Sequence, residues 1–335
     1  MSTRVAINGF GRIGRNYLRA SLDRSDIDIV AINDLTSPEV NAHLLKHDST
    51  QGQLSEPVSV GADELIVGGH HIKVFGERRP SDLPWGELGV DVVIESTGLF
   101  TSREAAAQHL SAGAKKVIIS APASDADVTI VMGVNDDTYD PSAHHVISNA
   151  SCTTNCFVPM VKVLDDAFGV QSGLMTTVHA YTNDQNLLDL AHQDLRRARA
   201  AAINIVPSST GAARATSLVL AAMKGRLDGI SLRVPVPAGS ITDFTAVIRA
   251  TSVEAINAAF ANAAQGSLSG VLVYTEEPIV SSDIVGSPAS CTFDSLMTMV
   301  QELDAERSLV KVFGWYDNEW GYSNRLVDLT SFVGR

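Results

Sequence analysis

Cys152 is the residue in this sequence best placed to act as a nucleophile. It follows an apolar stretch at 145–147 that predicts a strand, and it precedes residues 157–164, whose apolar spacing is helical. The first N–H groups of a helix are unpaired and carry partial positive charge, so they stabilise an anion. With an imidazolium nearby, a thiol at this position is expected to have a lowered pKa and to supply a thiolate near neutrality.

The alternative for Cys152 is an unreactive buried cysteine in an ordinary N-capped helix. Cys156 lies one helical turn further on, and Cys291 stands alone far along the chain. Two cysteines in one turn are too few for a structural zinc site, and three give no disulfide framework. We therefore expect no metal, and we interpret Cys156 as a small buried hydrophobe.

His179 is the candidate partner of Cys152. It stands near the end of the stretch Leu174-Met175-Thr176-Thr177-Val178-His179-Ala180-Tyr181-Thr182, which predicts a strand. A single histidine is more often structural, but a cysteine and a histidine at the ends of neighbouring elements form a recognised catalytic pair. The pairs His43/His47, His70/His71 and His144/His145 are interpreted as surface, strand or turn residues.

The first element that must be positioned correctly is an N-terminal glycine turn. Residues 4–8 predict a short strand, and Gly9-Phe10-Gly11-Arg12-Ile13-Gly14 follows before a helical pattern. In this setting the three glycines form the dinucleotide fingerprint: Gly9 permits the turn, Gly11 lets the backbone approach a pyrophosphate, and Gly14 lets helix and strand pack closely.

Asp34 supports the dinucleotide interpretation and indicates which cofactor binds. It ends the second predicted strand, 27–32, and lies 20 residues after Gly14, where a carboxylate accepts the ribose hydroxyls of an adenosine. Because the carboxylate would repel a 2′-phosphate and Leu35 offers no donor, NAD is favoured over NADP. The alternative is that Asp34 only caps the next turn.

Two further buried strands end in small polar turns. The strand at 92–95 leads into Ser96, Thr97 and Gly98, and the strand at 116–119 leads into Ser120. Ligands of open parallel sheets lie beyond the carboxyl ends of the strands, so these residues are expected beside the cofactor.

The second half of the chain has a different pattern. Longer strands are predicted at 173–179, 229–236, 242–250, 270–273 and 309–315, and alanine-rich helices at 210–224 and 252–264. The fold class expected is an α/β Rossmann-type cofactor domain with a parallel sheet (residues 1–150), followed by an α+β catalytic domain with a mainly antiparallel sheet (residues 151–315).

A basic cluster in this otherwise acidic chain predicts anion binding. Residues 194–199 contain three arginines, and a hydroxyl-rich turn at 208–211 opens a helix. Together with Arg233 these groups suit phosphate oxygens, although a solvated charged face is the ordinary alternative. We therefore expect a phosphorylated substrate.

Composition narrows the class of protein. The formal net charge of −13 opposes binding of nucleic acid or anionic membranes, and 45% hydrophobic with 19% charged residues is typical of a globular protein. There is no apolar run of membrane-spanning length. The N-terminus predicts no signal peptide, so the cytoplasm is the expected location.

Taken together, five motifs resemble those of the phosphorylating glyceraldehyde-3-phosphate dehydrogenases. They are Ile7-Asn8-Gly9-Phe10-Gly11-Arg12-Ile13-Gly14-Arg15, Ala150-Ser151-Cys152-Thr153-Thr154-Asn155-Cys156, His179-Ala180-Tyr181-Thr182, Ser209-Thr210-Gly211-Ala212-Ala213 and Trp315-Tyr316-Asp317-Asn318-Glu319. The resemblance covers essentially the whole chain. It implies an NAD-dependent glycolytic enzyme that acts on glyceraldehyde 3-phosphate and inorganic phosphate.

The resemblance also assigns roles to residues. Cys152 would attack the aldehyde, with His179 as its base and ion-pair partner. Substrate or nucleophile phosphates would be held by Thr182, Arg197 and Arg233, and the attacking phosphate by Ser151, Thr153, Thr210 and Gly211. The cofactor contacts would be Arg12, Ile13, Asp34, Arg78, Ser120 and Asn318. A homotetramer is implied, with the loop at 181–204 near the subunit interface and the final helix, within 316–335, packed on the cofactor domain.

Two other functions stay open at this stage. Erythrose-4-phosphate dehydrogenase shares the cysteine and the histidine, but its members usually lack the segments at 181–184 and 210–213 found here. A non-catalytic NAD-binding module is disfavoured because Cys152 and His179 are both present. Leu190-Ala191 departs from the Leu-Pro usual in bacterial NAD-specific members, which bears on NADP rejection.

Overall fold

The computed structural model describes residues 2–335, which form two compact units. The first contains the residues up to 130, residues 137–150 and residues 323–335. The second contains residues 131–136 and 151–322. The chain therefore leaves the first unit next to Cys152 and returns to it near its end.

The first unit is built on one large sheet. Its strands are β1 (Thr3–Asn8), β2 (Ile27–Asn33), β3 (His47–Asp48), β4 (Gly52–Gln53), β5 (Val58–Val60), β6 (Glu64–Val67), β7 (His70–Phe75), β8 (Val92–Glu95), β9 (Lys116–Ile119), β10 (Val128–Thr129) and β11 (Val146–Ser148). The sheet order is β10-β11-β9-β8-β1-β2-β7-β6-β5, and β3 pairs only with β4. The pairs from β10 to β7 are parallel, while β5, β6 and β7 form an antiparallel edge. This confirms the mostly parallel Rossmann-type sheet.

Short helices connect these strands. They are α1 (Arg12–Ser21), α2 (Pro38–Lys46), α3 (Arg103–Ala106) and α4 (Gln108–Ser111). Helix α2 begins at Pro38, because Ser37 caps it by accepting the N–H of Val40 and proline suits the first helical position. Single 3₁₀ turns lie at Pro80–Asp82 and Asp136–Thr138.

The second unit contains a mainly antiparallel sheet. Its strands are β12 (Ser172–Ala180), β13 (Val206–Ser209), β14 (Leu227–Val234), β15 (Ser240–Arg249), β16 (Leu272–Thr275), β17 (Cys291–Asp294), β18 (Met299–Glu302) and β19 (Arg307–Tyr316). The order is β13-β14-β12-β15-β19-β17-β16, with β18 also paired to β19. Within this sheet of the second unit, only the pairs β12/β14 and β16/β17 are parallel among the described strands. The predicted α+β class is therefore confirmed.

Three helices cover one face of this sheet. They are α5 (Cys152–Phe168), α6 (Ala212–Val219) and α7 (Val253–Gln265). The aromatic pairs Phe157/Phe244 and Phe260/Phe293 lie in the core between helices and sheet, with ring centroids 4.9 and 3.7 Å apart. The helix predicted at 210–224 is shorter than expected, because Leu220 is extended before a separate 3₁₀ turn. Further 3₁₀ turns lie at Ala201–Ile203, Ala221–Met223, Ser281–Ile284 and Ser295–Met297.

The last helix, α8 (Trp320–Val333), packs on α1 through its carboxyl-terminal turns. The Tyr17 hydroxyl lies 3.0 Å from Thr330 Oγ1. Arg24, just beyond α1, contacts Asp328 at 3.3 Å and donates to Ser331 Oγ at 2.7 Å. None of the helices formed by residues 2–335 combines the length and apolar character of a membrane span.

The glycine turn between β1 and α1 gives a stability prediction. A Cβ at Gly14 would lie 2.2 Å from the carbonyl oxygen of Gly9, whereas a Cβ at Gly11 would meet nothing within 4 Å. Gly14→Ala should therefore lower the free energy of unfolding by about 1–3 kcal/mol through overpacking. Gly11→Ala is the matched control and should stay within about 0.5 kcal/mol of the parent. Urea unfolding of the ligand-free protein compares them, and equal stabilities would show that the turn has room for a methyl group.

Candidate active site

Cys152 is the first residue of α5, so its thiol lies at a helix N-terminus, as predicted. Ser151 caps the helix, since its Oγ accepts the N–H of Thr154 at 3.1 Å. Ala150, directly before the cap, has a φ of +56°, a left-handed conformation that non-glycine residues rarely adopt. Such strain is typical of functional sites, where the surrounding structure enforces it. As a whole residue Cys152 is partly exposed.

His179 faces this thiol from strand β12. Its Nε2 lies 3.5 Å from Cys152 Sγ, and its side chain is buried. On the other side of the ring, Nδ1 lies 2.7 Å from the carbonyl oxygen of Ala180, which only accepts. Arg233 Nη1, which only donates, lies 2.8 Å from the same nitrogen, so these two contacts do not by themselves assign the ring proton. In the tautomer with the proton on Nδ1, Nε2 directs its lone pair at the thiol and can accept the thiol proton.

The pKa shifts of this pair differ from the sequence-based expectation. Burial raises the pKa of the Cys152 thiol, and the nearby positive charge of Arg233 offsets this only in part. Burial also lowers the pKa of His179 to about 3, and Arg233 lowers it further. Both pKa shifts run opposite to those expected from the sequence, since desolvation favours the neutral thiol and the neutral imidazole. His179 then acts as a base when the thiol attacks.

Tyr316 is a functional residue that the sequence interpretation missed. Its hydroxyl lies 2.9 Å from Thr153 Oγ1 and 2.7 Å from Thr177 Oγ1. Its ring meets that of His179 edge-on, with centroids 5.9 Å apart. Tyr316 thus packs against the imidazole and holds the first turn of α5. Thr153, proposed from the sequence as a phosphate ligand, directs its hydroxyl to this buried tyrosine.

The predicted anion-binding residues of β12, β14 and the following loop come together. Arg233 Nη1 lies 2.8 Å from His179 Nδ1, 3.1 Å from the Ala180 carbonyl oxygen and 3.2 Å from Thr182 Oγ1. Its buried Nε has no hydrogen-bond partner among the described residues. An arginine held beside the thiol with a donor to spare suits an anionic oxygen.

Asp184 binds two further members of this cluster, the hydroxyl of Thr182 and the guanidinium of Arg197. Its carboxylate accepts from Thr182 Oγ1 and forms an ion pair with Arg197. Burial alone would raise the pKa of Asp184, but Thr182, Arg233 and Arg197 outweigh burial and lower it. Asp184 was not among the predicted site residues, although its carboxylate organises two of them.

The other predicted phosphate ligands lie at helix N-termini of the second unit. Thr210 and Gly211 precede α6, where Thr210 Oγ1 accepts the N–H of Ala212 at 3.2 Å. Helices α5 and α6 pack against each other, and Ala212 belongs to the same apolar core as the first turn of α5. Ser151 and Gly211 therefore both offer helix N-terminal N–H groups, which favour phosphate oxygens.

A separate cavity in the first unit fits a dinucleotide. It has a volume of about 360 Å³ and lies at the carboxyl ends of β1, β2 and β8. Its lining includes the predicted residues Gly9, Gly11, Asp34, Arg78, Ser96 and Thr97. The position of a Gly11 Cβ is empty, so a pyrophosphate can approach the backbone there, beside the N-terminus of α1. The residues present therefore fit NAD.

Asp34 caps the turn that follows it, which is one of the two roles the sequence left open, and it also binds the glycine turn. One carboxylate oxygen accepts the N–H of Thr36 at 2.8 Å, which caps the following turn. The other accepts the N–H of Phe10 at 2.7 Å, inside the glycine turn. Because the carboxylate also lines the cavity, its negative charge faces the place where a ribose would bind.

The other predicted cofactor residues do not line this cavity. Arg12 forms an ion pair with the buried Asp48, Ile13 follows it in α1, and Gly14 packs under the turn. Gly98 and Ser120 follow β8 and β9. Asn318 lies in the second unit, where its Oδ1 accepts from Ser240 Oγ at 3.1 Å.

Cys156 and Cys291 are both fully buried, which confirms the interpretation of Cys156 as a core residue. Among residues 2–335, no group of three or more histidine, cysteine or acidic side chains is arranged to hold a metal ion. His43 on α2 and His47 at the start of β3 are exposed, with ring centroids 5.0 Å apart.

Arg233 gives a test of the electrostatics at the thiol. Its positive charge lowers the pKa of Cys152, so Arg233→Met should raise that pKa. The midpoint of the pH profile for Cys152 alkylation by iodoacetamide, followed by intact mass, should move to higher pH. Arg249→Met is the control, because Arg249 is exposed at the far end of β15 and should leave the midpoint unchanged. A midpoint that stays fixed or falls in the Arg233 variant would contradict this account.

Comparison with known proteins agrees with both units. Residues 3–103 match the family described as glyceraldehyde 3-phosphate dehydrogenase, NAD binding domain, and residues 151–318 match the corresponding C-terminal domain. The chain is 64% identical over 336 residues to glyceraldehyde-3-phosphate dehydrogenase 2 of Streptomyces avermitilis, covering 100% of this chain and 99% of that protein. It is 58% identical to the Geobacillus stearothermophilus enzyme, covering 99% and 98% of the two chains, and 56% identical to glyceraldehyde-3-phosphate dehydrogenase 1 of Bacillus subtilis, covering 100% and 99%. A cysteine–histidine pair beside arginines, a dinucleotide cavity and full-length similarity lead to one conclusion: this chain belongs to the glyceraldehyde 3-phosphate dehydrogenase family.

Proposed function

We propose that this protein oxidises D-glyceraldehyde 3-phosphate with NAD and inorganic phosphate to give 1,3-bisphosphoglycerate, a step of glycolysis. The observation that carries the proposal is the contact between Cys152 Sγ and His179 Nε2, 3.5 Å long, at the N-terminus of α5 and beside Arg233. This arrangement supports acyl transfer through a cysteine thioester.

Cys152 and His179 carry the covalent steps. Cys152 Sγ attacks the aldehyde carbon while Nε2 of His179 accepts the thiol proton, giving a thiohemiacetal. Nε2 returns this proton to the new alkoxide oxygen and takes it back as hydride leaves the carbon, which gives a thioester; NAD, when bound, would accept the hydride. A phosphate oxygen then attacks the thioester carbon, and the Cys152 sulfur leaves with the electron pair of the broken C–S bond.

The negative charge on the substrate oxygen needs donors. The N–H of Cys152 is among the unpaired donors at the start of α5, and the protonated imidazole of His179 supplies a second donor after proton transfer. Each such donor typically contributes about 3 kcal/mol of transition-state stabilisation. The low pKa of His179 makes its imidazolium a strong acid, ready to return the proton.

Two anion sites would place the phosphates. Thr182, Arg197 and Arg233 form one, in which Asp184 holds Arg197 and Thr182 until a phosphate replaces or joins it. Ser151, Thr153, Thr210 and Gly211 form the other, through backbone N–H groups and hydroxyls at the starts of α5 and α6.

NAD would be held by the cavity residues and the start of α1. Gly9, Gly11 and Gly14 shape the turn, and Asp34 accepts the ribose hydroxyls; Arg12, Ile13, Arg78, Ser96, Thr97, Gly98, Ser120 and Asn318 complete the proposed set of contacts. We assign the cofactor domain to residues 1–150 with the final helix within 316–335, and the catalytic domain to residues 151–315. Because the reaction requires a reduced Cys152, a reducing cytoplasm is the expected location.

The proposed activity is tested by the absorbance of NADH formed from glyceraldehyde 3-phosphate. Turnover should require both NAD and inorganic phosphate and be much slower with NADP. Cys152→Ala should bind NAD without turnover, whereas Cys291→Ala, the matched control for a fully buried thiol, should retain activity. Turnover that ignores phosphate, or that is faster with erythrose 4-phosphate, would overturn the proposal.

We also propose that the enzyme is a homotetramer. Exposed apolar side chains concentrate in one loop of the second unit; they are Leu187, Leu188, Leu190, Leu195, Ile203 and Ile205. Leu174 and Ile230 are exposed on the face of the sheet that lacks helices. Apolar surface of this extent is typical of a subunit interface.

Mass photometry checks the assembly. The expected mass is close to four times the chain mass of 35.6 kDa. Leu188→Asp should shift the distribution to smaller species, because the carboxylate would have to be buried in the interface. Val60→Asp, on the edge strand β5 of the first unit, is the control. A monomer at micromolar concentration would refute the tetramer.

A further inference from the structure

A chain of buried polar side chains lies directly beneath the dinucleotide cavity. Asn33, Asn8 and Glu95 end the three neighbouring strands β2, β1 and β8, and the sheet register aligns them side by side. They are 5%, 1% and 2% exposed. None of them belongs to the roles assigned above, yet burying three polar side chains at one edge of a sheet is unfavourable unless their hydrogen bonds are satisfied.

Trp85 and His109, at the far end of this row of side chains, indicate where the proton next to Glu95 lies. The indole nitrogen of Trp85, which can only donate, lies 2.9 Å from His109 Nδ1. His109 Nδ1 must therefore be the acceptor, and the proton of the neutral ring lies on Nε2. That N–H points at Glu95 Oε2, 3.0 Å away. Both Trp85 and His109 are completely buried, so water cannot replace either bond.

Every neighbour of Glu95 donates to it. Asn8 Nδ2 approaches Oε2, while the N–H and the hydroxyl of Thr97 approach Oε1. With His109 Nε2 this makes four donors on two oxygens, which is the pattern of a carboxylate and not of a carboxylic acid. The proton fixed on His109 by Trp85 thus stabilises a buried anion on Glu95.

The donors belong to the two turns that line the cavity. Thr97 lies in the turn after β8, and Asn8 immediately precedes Gly9. A Cβ at Gly9 would lie 2.6 Å from the Thr97 nitrogen, so the two turns touch each other through backbone. Ser96 Oγ also donates to the Gly9 carbonyl oxygen at 2.7 Å. Glu95 therefore determines the mutual position of both turns from below.

The row of hydrogen-bonded side chains continues on the other side of the cavity. Asn8 Oδ1 accepts from Asn33 Nδ2 at 2.7 Å, and Asn33 bonds both backbone groups of Glu77 at 2.8 and 2.9 Å. Glu77 and its neighbour Arg78 line the cavity opposite the turn after β8. A single line of hydrogen bonds thus ties three separate cavity walls to one anion.

We propose that Glu95, held as a carboxylate by the Trp85-locked tautomer of His109, is a positioning residue for NAD: it preorganises the Gly9 turn and the Ser96–Gly98 turn that receive the dinucleotide. Glu95 belongs to the first unit and is not among the residues that line the cavity. Its removal should weaken cofactor binding and leave the chemical step intact. The inference rests on the proposed use of NAD.

The test measures NAD affinity separately from turnover. Glu95→Gln places an amide N–H group against donors, so the dissociation constant of NAD, from quenching of tryptophan fluorescence, should rise about ten- to hundredfold. The KM for NAD should rise in parallel, while kcat at saturating NAD stays within about twofold. Glu64→Gln is the matched control, because Glu64 forms an exposed acid–imidazole pair with His71 in the same unit. It should bind NAD as the parent does.

A second pair of variants keeps the inference testable if Glu95→Gln does not fold. His109→Leu removes the N–H donor and should weaken NAD binding, whereas His109→Gln restores a donor at the same position and should recover most of the affinity. Equal affinity in His109→Leu, His109→Gln and the parent, or unchanged affinity in a folded Glu95→Gln protein, would overturn the inference. Failure of the parent itself to bind NAD would instead refute the proposed function.

Discussion

The parallel pairing of β12 with β14 is the constraint on which the catalytic site depends. Its register sets His179 opposite Arg233, so the guanidinium lies 2.8 Å from the imidazole. A fixed positive charge at this place makes protonation of His179 unfavourable and makes ionisation of Cys152 less unfavourable than burial alone would. The same arginine reaches the hydroxyl of Thr182 and thus joins the chemistry to the binding of an anion. Shifting this register by one residue would turn His179 to the other face of the sheet and abolish the site.

The two units prepare their binding sites for negatively charged groups in different ways. In the second unit, helix N-termini and arginines provide positive potential for phosphates and for an oxyanion. In the first unit, the cavity is shaped by glycine turns whose backbone is held by the buried carboxylate of Glu95. Each device depends on groups that are satisfied before the ligand arrives, so little reorganisation is needed on binding. Ala150, with its φ of +56°, is where the chain stores strain between the last strand of the first unit and α5.

Much of the fold follows from local patterns. Glycine spacing after β1, apolar runs of strand length and the cap at Ser37 act over a few residues, and each leads to the element that the structure contains. The helix expected at 210–224 was too long, because periodicity does not register that Leu220 turns out of α6. The pKa of Cys152 also shifts in the direction opposite to the expected one, since a helix N-terminus is visible in the sequence but the desolvation that opposes it is not.

The sequence by itself determined the two-unit organisation, the family, and the choice of Cys152 and His179 as the candidate catalytic pair, because these depend on residue types at short spacings. Only the tertiary structure decided which distant residues meet. Tyr316 contacts Thr153 and His179 across more than a hundred residues, and Glu95 meets His109 and Asn8 through strand pairing and a helix. The tautomer of His109 and the pKa shifts of Cys152 and His179 follow from such contacts, since they depend on burial and on which atom faces each proton. No local pattern carries that information.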